Sequence, residues 1–199
     1  TQLGNLTVTQ IKGLEVTDLA SLATTQLGRL TTSQIAALTT SQVVALTTAQ
    51  IQALTTTQLA ALTTAQVRGI DAEDFAAFDV TRLPALTTAS IAALSSDQVQ
   101  NIAAGSIQYL TTDQVVALPD PRLAAFTSDQ VPRLLQGQIE ALTTGQVSKL
   151  STAFLQALTS DQVAAMRTDQ VASITTTQAA KLTSVQIAAL TTAQVTALT

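Results

Sequence analysis

The chain predicts an all-α solenoid of very short helices, on three observations. An eight-residue unit, Thr-Thr-x-Gln-Val/Ile-x-Ala-Leu, recurs 25 times without insertion or deletion, the mark of a repeat array. Most units open with a Thr-x-x-Gln signature that starts a helix. The few charges are sorted along the unit as the dipole of a helix would sort them.

Positions are numbered here by phase, the residue number modulo eight. Phase 6 is apolar in every copy: 19 Leu plus Ile70, Phe78, Ile102, Phe126, Met166 and Ile174. Phase 3 is equally apolar, from Leu3 and Ile11 to Val195, with Ala179 the smallest after the first copies. Three residues apart, the two phases share one face of a helix. Eight residues at 3.6 per turn carry an apolar stripe about 80° past two full turns. A continuous helix would therefore smear the stripe around its circumference, so the helix has to break once per octad.

The break falls at the Thr pair. Phase 7 is Thr, Ser or Asp in 19 of 25 copies, and these are favoured N-cap residues. Phase 2, three residues on, is Gln in 18 of 25. Together they form a capping box, as in Thr31 with Gln34, Thr39 with Gln42 and Thr191 with Gln194, in which hydroxyl and amide satisfy two orphan backbone groups reciprocally. The Leu before the cap and the Val or Ile four residues after it form a hydrophobic staple. Each octad thus reads as a cap and a helix of about six residues. Twelve of thirteen acids lie at phases 7 to 2, Glu140 being the exception, and six of nine bases lie at phases 4 and 5.

A narrow β-solenoid is the alternative, because Thr, Val and Ile favour strands. It gives no reason for the capping box or for the charge polarity. Pro84 and Pro132 sit at phase 4, inside the short helix, and predict a distorted or 3₁₀-like turn in their copies. Pro119 and Pro121 fall at a cap and in a first turn, where proline is tolerated.

A helix of six residues is unstable alone, so neighbours must stack around a shared linear core. Small residues at phase 5, in 18 of 25 copies, permit close approach. The expectation is one continuous solenoid over residues 1–199 without separate domains. The pattern leaves the number of octads per superhelical turn open. With two per turn and layers about 9 Å apart, the array would be a rod on the order of 100 Å.

The stretch LTTSQIAALTTSQVVALTTAQIQALTT, Leu30 to Thr56, resembles the tandem octad arrays of large bacterial surface and secreted proteins, and the resemblance extends along the whole chain. It implies an extracellular structural or adhesive region and says nothing about an activity.

Composition narrows the function. The chain has 11% charged residues, a net charge of −4 and no Cys or His. Nine dispersed bases make no phosphate-binding stripe, which argues against nucleic acid. Thr and Gln interrupt every octad, so no run approaches the roughly 20 apolar residues of a membrane span. Without His or Cys, Ser-His and Cys-His catalysis and the usual zinc sites are unavailable, and no glycine-rich phosphate loop occurs. The expectations are no enzyme, no catalytic, cofactor or metal residue, and no cofactor.

Some residues depart from the pattern. Asp71, Glu73, Asp74 and Asp79 form the densest acidic cluster. Their spacing fits no calcium loop, and they read as caps and first-turn charges, with Phe75 and Phe78 on the core phases. Arg82, Arg122 and Phe154 replace Gln at phase 2 and read as drift at a half-exposed position. Tyr109 at phase 5 must project outward or line a groove. Rows of Thr at phases 7 and 0 could order water, unless capping consumes the phase 7 hydroxyl. The sequence therefore predicts a structural spacer or filament-forming subunit that associates with itself end to end. The alternative is an adhesin-like module holding a protein or carbohydrate along a groove near Asp71–Arg82 or Asn101–Tyr109.

Overall fold

The computed structural model describes residues 2–198, and they are helical throughout, with no strand among them. Each octad contributes one element, an α-helix of four to six residues or a 3₁₀ helix. The β-solenoid alternative is thereby excluded. The described residues divide after Ile102 into two compact units, and each is a helical solenoid.

The break between octads is made without glycine. Leu38 ends one helix with φ −55° and ψ 139°, and Thr39 opens the next with φ −70° and ψ 158°. Two extended residues in succession turn the chain, and no described residue has positive φ. The capping box forms as the sequence predicts. Thr31 Oγ1 accepts from the Gln34 amide at 3.2 Å, and Gln34 Oε1 accepts from the Thr31 amide at 2.8 Å. The phase 7 hydroxyl is thus used as an acceptor within its own turn.

At Ala23, Ala103 and Pro119, caps without a hydroxyl, the third helical amide bonds to the carbonyl of the cap residue instead. Gln26 does so to Ala23 at 2.8 Å, Ser106 to Ala103 at 2.8 Å and Arg122 to Pro119 at 2.8 Å. That tightens the first turn toward 3₁₀ geometry. The octads with neither a side-chain cap bond nor a phase 2 Gln at Asp71 and Ala103 are 3₁₀ throughout, Ala72–Ala77 and Ala104–Tyr109. Pro132 lies in a 3₁₀ helix, Val131–Arg133, and Pro84 in a helix cut to Arg82–Ala85, as the missing donor at phase 4 requires.

Phases 3 and 6 form the core. Leu59, Val67, Leu83 and Val147 are fully buried at phase 3, and Leu62, Leu94 and Leu142 are at most 4% exposed at phase 6. In both units a helix packs on the helix three octads away: Val8–Lys12 on Thr32–Ala37 and Thr32–Ala37 on Thr56–Ala61, then Gln136–Ala141 on Ser160–Ala165 and Ser160–Ala165 on Ser184–Ala189. A turn of the superhelix therefore takes between three and four octads. Two octads per turn, the premise of a rod near 100 Å, is not the arrangement formed. Six-residue helices are too short to fold back on their immediate successor, so the chain winds around the core in a wider coil.

Close approach at phase 5 is visible at Gly69. A Cβ there would lie 2.9 Å from Thr40 Cγ2 and 3.1 Å from Val44 Cγ2 of the preceding turn. Thr40 and Val44 crowd that position, and glycine at position 69 accommodates them.

Candidate functional site

Phase 2 is the position where the structure departs most from the sequence reading. From Gln34 on, its Gln side chains are buried rather than half-exposed. Gln34, Gln42, Gln50, Gln58, Gln66 and Gln98 in the first unit are 2–3% exposed. Capping accounts for Oε1 only. The other end of each amide, Nε2, donates across the solenoid to the turn below.

The pattern is regular. Gln66 Nε2 donates to the carbonyl of Ile35, 31 residues back, at 2.9 Å, and to that of Leu38, 28 residues back, at 2.7 Å. Gln98 reaches Val67 at 2.9 Å and Ile70 at 2.7 Å in the same register. In the second unit Gln162 reaches Val131 and Leu134, and Gln194 reaches Val163 and Met166. The acceptors are mostly at phases 3 and 6, with phase 4 as a longer third contact, such as Ala36 at 3.4 Å from Gln66; Gln146 instead reaches phase 4, at Val116, at 2.9 Å and phase 6, at Leu118, at 3.1 Å. They lie at the C-terminal end of a helix, where carbonyls run short of intrahelical donors; the phase 3 carbonyl also accepts from the phase 6 amide, as Ile35 does from Leu38 at 3.2 Å. One side chain thus satisfies an orphan donor at the start of its own helix and carbonyls at the end of a helix one turn below.

A signal for this was present in the sequence. A capping box accepts Glu as readily as Gln, yet none of the 25 phase 2 residues is Glu. A carboxylate can accept at the cap but has no proton for the carbonyls below. The preference for Gln, in 18 of 25 copies with none Glu, reports the second set of bonds.

Two of the exceptions at phase 2, Arg82 and Phe154, keep a contact with the turn below, which corrects their reading as drift. Arg82 Nη2 donates to the Gln52 carbonyl, 30 residues back, while Nη1 pairs with Asp79 at 3.1 Å. Its Nε is buried without a partner. Phe154 is 1% exposed and meets Phe126, 28 residues back, edge to face at a centroid distance of 6.2 Å. An aromatic contact stands there in place of the amide-to-carbonyl bond. Arg122 is half-buried. Arg167, a base at a helix start, sends its guanidinium to the Glu140 and Leu142 carbonyls and to Asp169 at 3.1 Å. It thereby meets the C-terminal end of another helix, where a cation is favoured.

The acidic cluster is dispersed rather than convergent. Phe75 and Phe78 are buried and stacked at 4.7 Å. Asp71 makes no side-chain cap bond, contrary to its reading as a cap, and Asp74 is buried at 6% exposure. Asp79 Oδ1 accepts from the Thr81 hydroxyl at 2.7 Å and from the Thr81 and Arg82 amides. The Thr81 hydroxyl, followed by these amides, holds its carboxyl down at about 2. Asp169 is likewise lowered, first by its hydrogen bond from Arg167. Lys149 is raised by the hydrogen bond to Asp120 at 2.8 Å. No group of three or more acidic side chains converges among the described residues.

Tyr109 is 37% exposed, as its place at phase 5 requires. In the second unit an open cleft of about 440 Å³ is lined by Ala104, Ser128, Asp129, Pro132 and Arg133. It lies between the two 3₁₀ octads 103–110 and 127–134, where the helical pattern is weakest.

Fold and amide ladder together define a helical repeat protein, with one capped short helix per octad and each turn tied to the next by glutamine. Residues 11–48, 43–69, 67–104 and 139–176 match the ALTTAQ repeat, and the chain belongs to that repeat family. A comparison with curated proteins finds no match. Family and fold point to a structural repeat protein rather than an enzyme. No described helix is long and apolar enough to cross a membrane.

Proposed function

We propose that the chain is a structural element, a spacer or filament-forming subunit, of a bacterial surface or secreted assembly, and that it carries no catalytic activity. One observation supports this above the others. The buried glutamine amides are directed inward, to tie one turn to the next, and the same tie recurs at copies between Gln34 and Gln194. A protein shaped by selection for a ligand would concentrate unusual side chains at one place. Here even the unusual ones, Arg82, Phe154 and Arg167, restate the inter-turn contact.

Negative-stain electron microscopy across a concentration series tests the reading. Filaments of uniform width that lengthen with concentration, or discrete particles of uniform size, are its two forms. Amorphous or heterogeneous particles would sink it.

A second reading, a module that holds a protein or carbohydrate, is favoured only by the cleft beside Ala104 and Arg133. Loss of partner capture on Arg133→Ala, with helicity unchanged, would establish it.

A further inference from the structure

We infer that the first unit contains a parting plane, a level of the solenoid at which adjacent turns separate before they do elsewhere. The plane rests on the structural-array reading only for its use, as the place where a spacer yields under load. It is marked by the phase 6 carbonyls. Those of Leu14, Leu22, Leu30 and Leu38 each receive the Nε2 of the Gln 28 residues on, and that of Ile70 receives Gln98. Between them, Leu46, Leu54 and Leu62 are buried, and their carbonyls receive no donor among the described residues.

The residues 28 positions on from these three are Asp74, Arg82 and Ser90, successive departures from Gln at phase 2. Asp74 is buried, and its carboxylate accepts no hydrogen bond among the described residues. Arg82 reaches the Gln52 carbonyl rather than that of Leu54, and its Nε is buried without a partner. Ser90 is 1% exposed, and its hydroxyl meets only that of Thr87, at 2.9 Å. Unmet polar groups thus stand on both sides of one level. Three consecutive octads make most of a superhelical turn, so a nearly complete level lacks the glutamine tie. In the second unit the tie is missing at one place between Leu110 and Met166, and there Phe154 packs on Phe126.

Elsewhere, separating two turns breaks the amide bonds of every octad involved. At this level it breaks none of them and lets water reach polar groups that burial leaves unpaired. Apolar burial holds the level closed: Ile51 and Leu59 below it and Phe75, Leu83 and Ile91 above it are at most 1% exposed. That attraction is not directional, so the turns can part and close again without remaking a pattern of specific bonds. The stability of an array is a sum over units and their neighbour contacts, which keeps the weakness local to this level.

Amide hydrogen exchange of the full chain at neutral pH tests the plane. The phase 3 amides of Ile51, Leu59 and Ile91, and of Val147, Leu155 and Val163 in the second unit, are bonded alike to their cap carbonyls. The first three should exchange about tenfold or more faster than the last three, a difference of two hydrogen bonds. Asp74→Gln supplies a donor for the Val43 and Leu46 carbonyls, and Ser90→Gln one for those of Leu59 and Leu62. Each should slow exchange beside the plane by about tenfold, with circular dichroism matching wild type. Should both variants lose helicity, Gln98→Ser decides. It removes the bonds to Val67 and Ile70 and should carry the fast exchange to the Val67 amide. Equal wild-type rates in the two sets overturn the plane. Fast exchange that neither Gln variant slows, or a Val67 amide unmoved by Gln98→Ser, overturns the missing tie as its cause. Each of these results leaves the spacer or filament reading to its own test by microscopy.

Discussion

Changing Gln58 to Glu isolates the inter-turn tie from the cap. Gln58 is 2% exposed. Its Oε1 accepts from the Thr55 amide at 2.9 Å, and its Nε2 donates to the Leu27 and Leu30 carbonyls at 3.1 and 2.8 Å. Glu retains the first bond and loses the other two. Two neutral hydrogen bonds are worth about 1–3 kcal/mol together. A carboxylate oxygen then faces two carbonyl oxygens in a site closed to water, and an unpaired buried charge raises the loss to about 3–5 kcal/mol. The same substitution at Gln10, whose side chain is exposed and has only the cap bond, should cost less than about 0.5 kcal/mol. Gln58→Met should fall between the two, because it loses the bonds without adding charge. Amide hydrogen exchange at neutral pH is the suitable assay, since an array opens locally and a single global unfolding free energy is ill-defined. The loss should appear in octads 23–30 and 55–62 together. Equal protection in the Gln58→Glu and Gln10→Glu variants would refute the assignment of inter-turn stability to the glutamine amide.

Leu94 is 1% exposed, so Leu94→Asp should bury an unpaired carboxylate and melt its neighbours, at a cost on the order of 4 kcal/mol. Ser33→Ala, at an exposed phase 1 position, should be silent by thermal denaturation. Gly69→Ala should lower stability by about 1–3 kcal/mol through its clash with Thr40 and Val44. Val44→Ala should relieve much of that loss in a double-mutant cycle, and purely additive effects would dismiss the packing argument. The Asp79 carboxyl is held below its ordinary value of 3.8, at about 2. Its stabilising bonds are therefore present above pH 4 and lost as pH falls through 2. An NMR titration of that carboxyl should show a midpoint near 2, and a midpoint near 4 would contradict the Thr81 contacts.

Much of this architecture was legible because it is local. The break at the Thr pair, the capping box and the two apolar phases all follow from helix geometry within eight residues, and Thr31, Gln34, Ile35 and Leu38 carry out those roles. Pro132 marked its 3₁₀ copy for the same reason. The number of octads per turn was not legible. It depends on how a helix meets one three octads away, and no spacing within one octad encodes that. The inward role of Gln lies between these cases. Its acceptors are 28 to 31 residues distant, yet the absence of Glu at phase 2 carried the information. The octad alone places phase 2 at the surface, because a capped Gln on an isolated helix would be exposed. In the array the turn below covers it.

The pair Phe126 and Phe154 shows why such an array tolerates drift. Phe154 removes the amide that would have met the carbonyl of residue 126, and an ordinary Leu at position 126 would then face a gap on one side. Phe at both positions fills the site with an edge-to-face contact, and both side chains are buried. The compensation is set by the 28-residue register of the inter-turn bond, not by adjacency in sequence. An octad can therefore lose its consensus at phase 2 while the solenoid keeps its pitch, and at this pair the residue 28 positions away changes with it. Arg82 keeps a donor to the turn below in another way, through the Gln52 carbonyl 30 residues back. The selected property is accordingly the continuity of the contact between turns, and the octad consensus is its commonest solution.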